Sequence, residues 1–112
     1  MDAVEKDVRL LVKKELRAAN QNFPMFHSAH EGWAVIREEM SEAEVERYLL
    51  DRWIEERLWN EVKGDVQIPK EDLKEMQYRA VHMAVEAIQL AAMICKLERR
   101  QRRWPKKMEQ LF

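Results

Sequence analysis

The sequence predicts an all-α fold, and three observations carry that prediction. Charged residues make up 37% and hydrophobic residues 46% of the 112 positions, with two glycines and three prolines. Long runs therefore mix charges with Leu, Met, Ala, Val and Ile without a breaker. Apolar residues return at three- and four-residue spacings, the period of a helix face. Turn-forming residues gather at residues 20–24 and 64–69, with Gly32 and Pro105 apart from them. These two clusters divide the chain into a short N-terminal helix and a long antiparallel helical hairpin, expected to be completed as a bundle by oligomerisation. Residues 1–104 are read as one all-α domain and residues 105–112 as a short basic C-terminal tail.

The first helix is expected over residues 2–20. Val4, Val8, Leu11, Val12 and Leu16 give it one apolar face. Asn20, Gln21, Asn22 and Pro24 end it, and Phe23, Met25 and Phe26 form an apolar connection onto the bundle. Ser28 followed three residues later by Glu31 is a capping box, so the second helix should begin near residue 29. It meets no breaker from Gly32 to Gly64 and is expected to run about 35 residues, or ~50 Å. Trp33, Ile36, Met40 and Ala43 should point inward, then Leu50, Ile54 and Leu58, with Tyr48, Trp53 and Trp59 beside them.

Gly64 suits the left-handed position after a helix, and Pro69 the first turn of the next. The third helix is expected over residues 70–103. Leu73, Met76, Ala80, Met83, Ala87, Leu90, Ile94 and Leu97 alternate in steps of three and four, an a/d heptad seam. Ala84, Ile88, Ala91 and Cys95 widen that face and imply more than one neighbour. Pairing about the turn sets Glu46 level with Glu86, Glu42 with Leu90 and Glu39 with Met93. Trp104 and Pro105 should then break the helix.

Charge is uneven although the net is −1. Residues 31–65 hold eleven acids and five bases, and residues 97–112 hold six bases and two acids. Cys95 is the one cysteine, so no intrachain disulfide can form, and its apolar neighbours suggest a buried reduced thiol. That suits a cytoplasmic setting. The N-terminal residues do not read as a signal peptide, and no uninterrupted apolar run reaches about 18 residues, so no membrane partner is expected.

Four constellations could carry chemistry. Glu38, Glu39 and Glu42 lie three and four apart, so like charges share a helix face. A hard divalent cation such as Mg²⁺ would relieve their repulsion, whereas the bland reading is a solvated acidic face. His82, Glu86, Gln89 and Met93 form one stripe, with Glu86 among core positions, where a carboxylate must be paired, hydrogen-bonded or metal-bound. An ion pair with an arginine is the alternative there. His27 and His30 lack further zinc ligands and read as structural. Arg99, Arg100, Arg102, Arg103, Lys106 and Lys107, with Trp104, could touch phosphates, but cations at a helix C-terminus also complement its dipole, and nucleic acid is not the expected partner.

The pattern Glu38-Glu39-x-x-Glu42, followed by Glu86-x-x-Gln89, with HEGWAVIREE and EAIQLAAM around it, resembles the MazG-like all-α nucleoside triphosphate pyrophosphohydrolases, in particular small phage-related members. The resemblance spans roughly residues 23–97. It implies Mg²⁺ as cofactor, a nucleoside triphosphate as substrate, cleavage to the monophosphate and pyrophosphate, and assembly as a dimer or larger homo-oligomer. It implies Glu38, Glu39, Glu42 and Glu86 as metal ligands, Glu38 and Glu39 as the catalytic pair, and Gln89 and His82 on the substrate. Gln89 stands where that family carries Asp, so a weakened hydrolase is one expectation. A non-catalytic helical interaction or scaffold protein, using the hairpin and the basic tail, is the alternative. Within residues 43–74, which lengthen the hairpin, Glu55 to Val62 echo the family's wording, but their level partners Met76 and Gln77 offer no acids, and no site is placed there.

Overall fold

The computed structural model describes residues 2–23 and 25–102 and is helical with no strand among them. Helix α1 covers Asp2–Asn20 and α2 covers Ala29–Arg52. A π-helical segment, Trp53–Leu58, follows, then the short α3, Trp59–Lys63. Arg52, Leu58 and Trp59 all keep right-handed helical dihedrals, so α2, the π turns and α3 form one unbroken helical path. Helix α4 covers Lys70–Gln101. The anticipated end of the third helix at Arg103, the break at Trp104 and Pro105, and the basic tail lie outside the described residues.

The chain divides into two compact units, residues 1–38 with 88–112, and residues 39–87. In the first, Leu16, Phe26, Ala92 and Met93 are buried together, with Val12, Ala19, Val35, Ile36 and Leu97 against them. Two cations of α4 fasten the α1–α2 connection to this core. Lys96, itself buried, donates from Nζ to the Phe23 carbonyl and lies 4.8 Å over the Phe26 ring. Arg100 donates to the Phe26 and His27 carbonyls, each at 2.8 Å. Burial pulls the Lys96 ammonium below its ordinary range, opposed by the charge of Glu31. The expected cap is present, with the Glu31 amide donating to Ser28 Oγ at 3.1 Å. Gly32 is buried because a Cβ there would meet Leu97 Cδ1 at 2.8 Å and the Phe26 ring at 3.1 Å.

In the second unit, α2, the π segment and α3 pair with the first half of α4 as an antiparallel hairpin. Arg57 reaches Asp72 at 3.0 Å and Arg79 reaches Glu46 at 3.8 Å. The π turns were not foreseen. A wider turn brings the inward face back after five residues, so Trp53 and Leu58 are half-buried while Ile54 is exposed.

The turn corrects the glycine assignment. Gly64 has φ −79°, and the left-handed residue is Asp65 at φ 54°. The Asp65 amide donates to the Val62 carbonyl and the Val66 amide to the Glu61 carbonyl, which is a Schellman cap with Asp in the left-handed place. The Pro69 carbonyl accepts from the Asp72 and Leu73 amides, so proline stands one residue before α4 rather than in its first turn.

The heptad seam of α4 is rotated from its expected setting. Met76, Met83, Leu90 and Leu97 are buried or half-buried as expected, but Leu73, Ala80, Ala87 and Ile94 are exposed. Their inward places are taken by the residue before each: Asp72, Arg79, Glu86 and Met93. Asp72 and Arg79 meet ionic partners there, Arg57 and Glu46, whereas Glu86 meets other carboxylates. Trp33 at 66% exposure, Val4, Val8 and Leu11 on α1, Phe23 in the connection, and Cys95 also lie outward, against the inward or buried places expected for them. Within α4 an 18-residue window reaches mean hydropathy 1.5 with at most two charges, so by length and composition this helix could cross a membrane. The sequence expectation counted uninterrupted apolar runs and passed over it.

Candidate metal centre

Three-residue and four-residue spacing puts Glu39, Glu42 and Glu46 on one stripe of α2. Helix α4 runs the other way and presents Glu86, held inward between the half-buried Met83 and the rest of the packed stripe. One carboxylate oxygen each from Glu39, Glu42 and Glu86 lie within 4.8 Å of one another. Glu39 and Glu86 are half-buried and Glu42 is exposed, so the cluster has a packed side and an open side.

The electrostatics are those of a site with too few positive charges. Glu86 Oε2 is buried and accepts no hydrogen bond. Burial, then the charge of Glu42 and a hydrogen bond with its carboxyl, then the charge of Glu46, push the Glu86 carboxyl above the usual carboxylate range, with His82 opposing. Glu46 is the residue the sequence reading left out of the site. Its level position opposite Glu86, on the Glu39–Glu42 stripe, was the available signal. It pairs with Arg79, which also donates to Glu75 at 3.1 Å.

The donor set fits a hard cation. All three groups offer carboxylate oxygens, and opposite ligands on Mg²⁺ are about 4.2 Å apart given bonds of ~2.1 Å. A span of 4.8 Å comes within a small side-chain rotation of that. Zinc would ask for nitrogen or sulfur ligands, which the cluster lacks.

Not every anticipated residue joins the cluster. Glu38 is exposed and falls in the other unit, one residue and about 100° around the helix from Glu39. Gln89 is half-buried on α4, also in the other unit. His82 stands one turn before Glu86 and stacks on Tyr78 with ring centroids 4.2 Å apart. His27 and His30 are exposed beside the Ser28 cap. Of the basic end, Arg102 pairs with Glu98 and Arg100 holds carbonyls, while Arg103, Trp104, Lys106 and Lys107 lie outside the described residues.

The echo at residues 55–62 leads elsewhere. Glu55 and Glu56 are exposed, Arg52 is paired to Glu56 at 2.8 Å, and Glu61 faces Asp72 beside Arg57. An open groove here is lined by Tyr48, Arg52, Trp53 and Arg57, but both guanidiniums already hold carboxylates. Comparison with protein-family models, with curated proteins and with solved structures finds no match.

Proposed function

We propose that the protein is a Mg²⁺-dependent nucleotide pyrophosphohydrolase of MazG-like type, converting a nucleoside triphosphate to its monophosphate and pyrophosphate, or a weakened relative of one. The observation that carries the reading is the meeting of Glu39, Glu42 and Glu86 from two helices within 4.8 Å, with Glu86 pushed toward its neutral form by its neighbours. A bound Mg²⁺ would neutralise phosphate charge and orient the attacking water. Glu39, Glu42 and Glu86 are the residues that would hold it. Glu42, on the open side, is the group nearest to solvent and to an entering polyphosphate. Glu46 is kept ion-paired by Arg79, and so adds field rather than a ligand oxygen. Glu38 enters as a water-activating group, and Gln89 and His82 as substrate contacts, on the resemblance alone. Gln89, neutral where the pattern has an acid, favours the weakened form.

The second reading is a non-catalytic helical interaction protein in the cytoplasm. It is favoured by the outward stripe of Leu73, Ala80, Ala87 and Ile94 on α4. In either case we expect a homo-oligomer.

The test is incubation of the pure protein with a panel of nucleoside triphosphates and Mg²⁺, following pyrophosphate and monophosphate. Turnover that falls ~100-fold or more in Glu39→Gln and Glu86→Gln, the scale of losing one electrostatic stabiliser, supports the enzyme. Glu86→Gln should also raise the melting temperature of metal-free protein while abolishing its rise with Mg²⁺. Absence of both turnover and a Mg²⁺-dependent thermal shift in the wild type sinks the hydrolase reading.

A further inference from the structure

Away from the metal centre, the far end of the hairpin holds a second set of charges whose numbers do not balance. Asp72, in the first turn of α4, is 6% exposed. Glu61, on α3, has a side chain 14% exposed and points at it. One cation serves both: Arg57 Nε donates to Asp72 Oδ2 at 3.0 Å and to Glu61 Oε1 at 3.4 Å. Arg57 is the more exposed partner, and its guanidinium also lies 5.6 Å over the Trp53 ring. Glu61 Oε2 is buried and receives no donor from any other described group.

Two ionised carboxylates cannot hydrogen-bond one another, since both only accept. Yet one N–H group, Arg57 Nε, reaches an oxygen of each, and Glu61 Oε2 is buried with no donor of its own. A proton between them resolves the geometry: Glu61 donates to Asp72, and Arg57 neutralises the remaining charge. We propose that Glu61, Asp72 and Arg57 form a pH-dependent latch that closes α3 onto the start of α4 while the two carboxyls share a proton, and loosens the turn between them when that proton leaves. The groups facing Glu61 among the described residues are Asp72 from α4 and Arg57 from the π segment. Asp72 raises the Glu61 carboxyl above its ordinary range, aided by burial, and Arg57 opposes the rise. The latch therefore contributes its full stability below the ordinary glutamate range, near 4.5. That contribution is lost as pH rises through the raised value of the folded protein. The reporters are built in, because the Asp65 and Val66 amides donate to the Val62 and Glu61 carbonyls.

The experiment is amide exchange of Asp65 and Val66, corrected for intrinsic rates, across pH 4 to 8 in the full chain, with carbon-13 titration of the Glu61 carboxyl. Protection should fall with rising pH by roughly tenfold for each unit that the Glu61 carboxyl is raised, with its midpoint on the Glu61 titration. Glu61→Gln keeps a donor toward Asp72 and should hold the protection level across the range. Asp72→Asn should lower the Glu61 titration toward its ordinary range. Protection independent of pH in the wild type, or the same fall in Glu61→Gln, overturns the proposal. Neither variant touches Glu39, Glu42 or Glu86, so the outcome is independent of the nucleotide reading.

Discussion

Asp65 shows how a single backbone angle redistributes roles at the residue scale. Gly64 has the composition for a left-handed cap, yet the helix runs one residue further and hands that conformation to Asp65. Asp tolerates it better than most residues, because a short polar side chain can bond locally, but the strain is not zero. Asp65→Gly should therefore raise stability by up to about 1 kcal/mol, read as an increased denaturant midpoint with unchanged slope. Gly32 sits at the opposite extreme. Its φ is unremarkable and space alone fixes it, with Leu97 and Phe26 where a Cβ would go. Gly32→Ala gains helix propensity but must push both side chains aside, and a net loss of about 1 kcal/mol is expected by the same measurement. Neither effect was legible beforehand. The sequence marks a glycine without saying whether angle or crowding is the cause.

At the scale of elements, the starts of helices were readable and their facing was not. Ser28 and Glu31 announce α2, and the Glu31 amide does bond the Ser28 hydroxyl, because capping is a local event within four residues. The inward face of α4 is a contest between residues on neighbouring columns. Apolar periodicity alone selects Leu73, Ala80, Ala87 and Ile94. Asp72 and Arg79 instead face inward toward Arg57 and Glu46, and Glu86 toward Glu42 and Glu46, and no count of apolar spacing contains those neighbours. The same limit applies to the carboxylate cluster. Helix spacing put Glu39 and Glu42 on one face, but the level across the turn set them opposite Met93 and Leu90, so only the structure shows their oxygens within 4.8 Å of one from Glu86. Glu38 was grouped with them because four-residue spacing to Glu42 gives a shared face; it is exposed and is not among the three carboxylates that lie within 4.8 Å of one another. Glu46 was level with Glu86 on the same ruler, and its place beside the cluster follows from that.

At the scale of the whole molecule, the balance of buried and exposed apolar groups points outward. Among the described residues five hydrophobic side chains are buried, whereas seventeen large ones are exposed, including Leu73, Val81, Val85 and Ile94 on α4. So few buried groups leave little apolar burial to set against the entropy of ordering long helices. Burial against a second copy is the expected remedy. Sedimentation should give at least twice the 13.5 kDa chain mass, with a melting temperature that rises with protein concentration. The double variant Ala84→Glu with Ile94→Glu should shift the mass to one chain and lower the melting temperature. A wild type that sediments as one chain at every concentration would defeat this expectation.

By itself the sequence determined the all-helical class, the two breaks between helices, the cap at Ser28 and the stripe of acids on α2, because each follows from interactions spanning a turn or two of chain. Only the tertiary structure decided which face of α4 turns inward, that a π turn interrupts the second helix, that Asp65 rather than Gly64 takes the left-handed angle, and that Glu61 and Asp72 share one arginine. Those outcomes depend on partners tens of residues away. Burying a charge is costly, so the counter-charges Arg57 and Glu46 matter where Asp72 and Arg79 of α4 turn inward, and no local apolar pattern contains them.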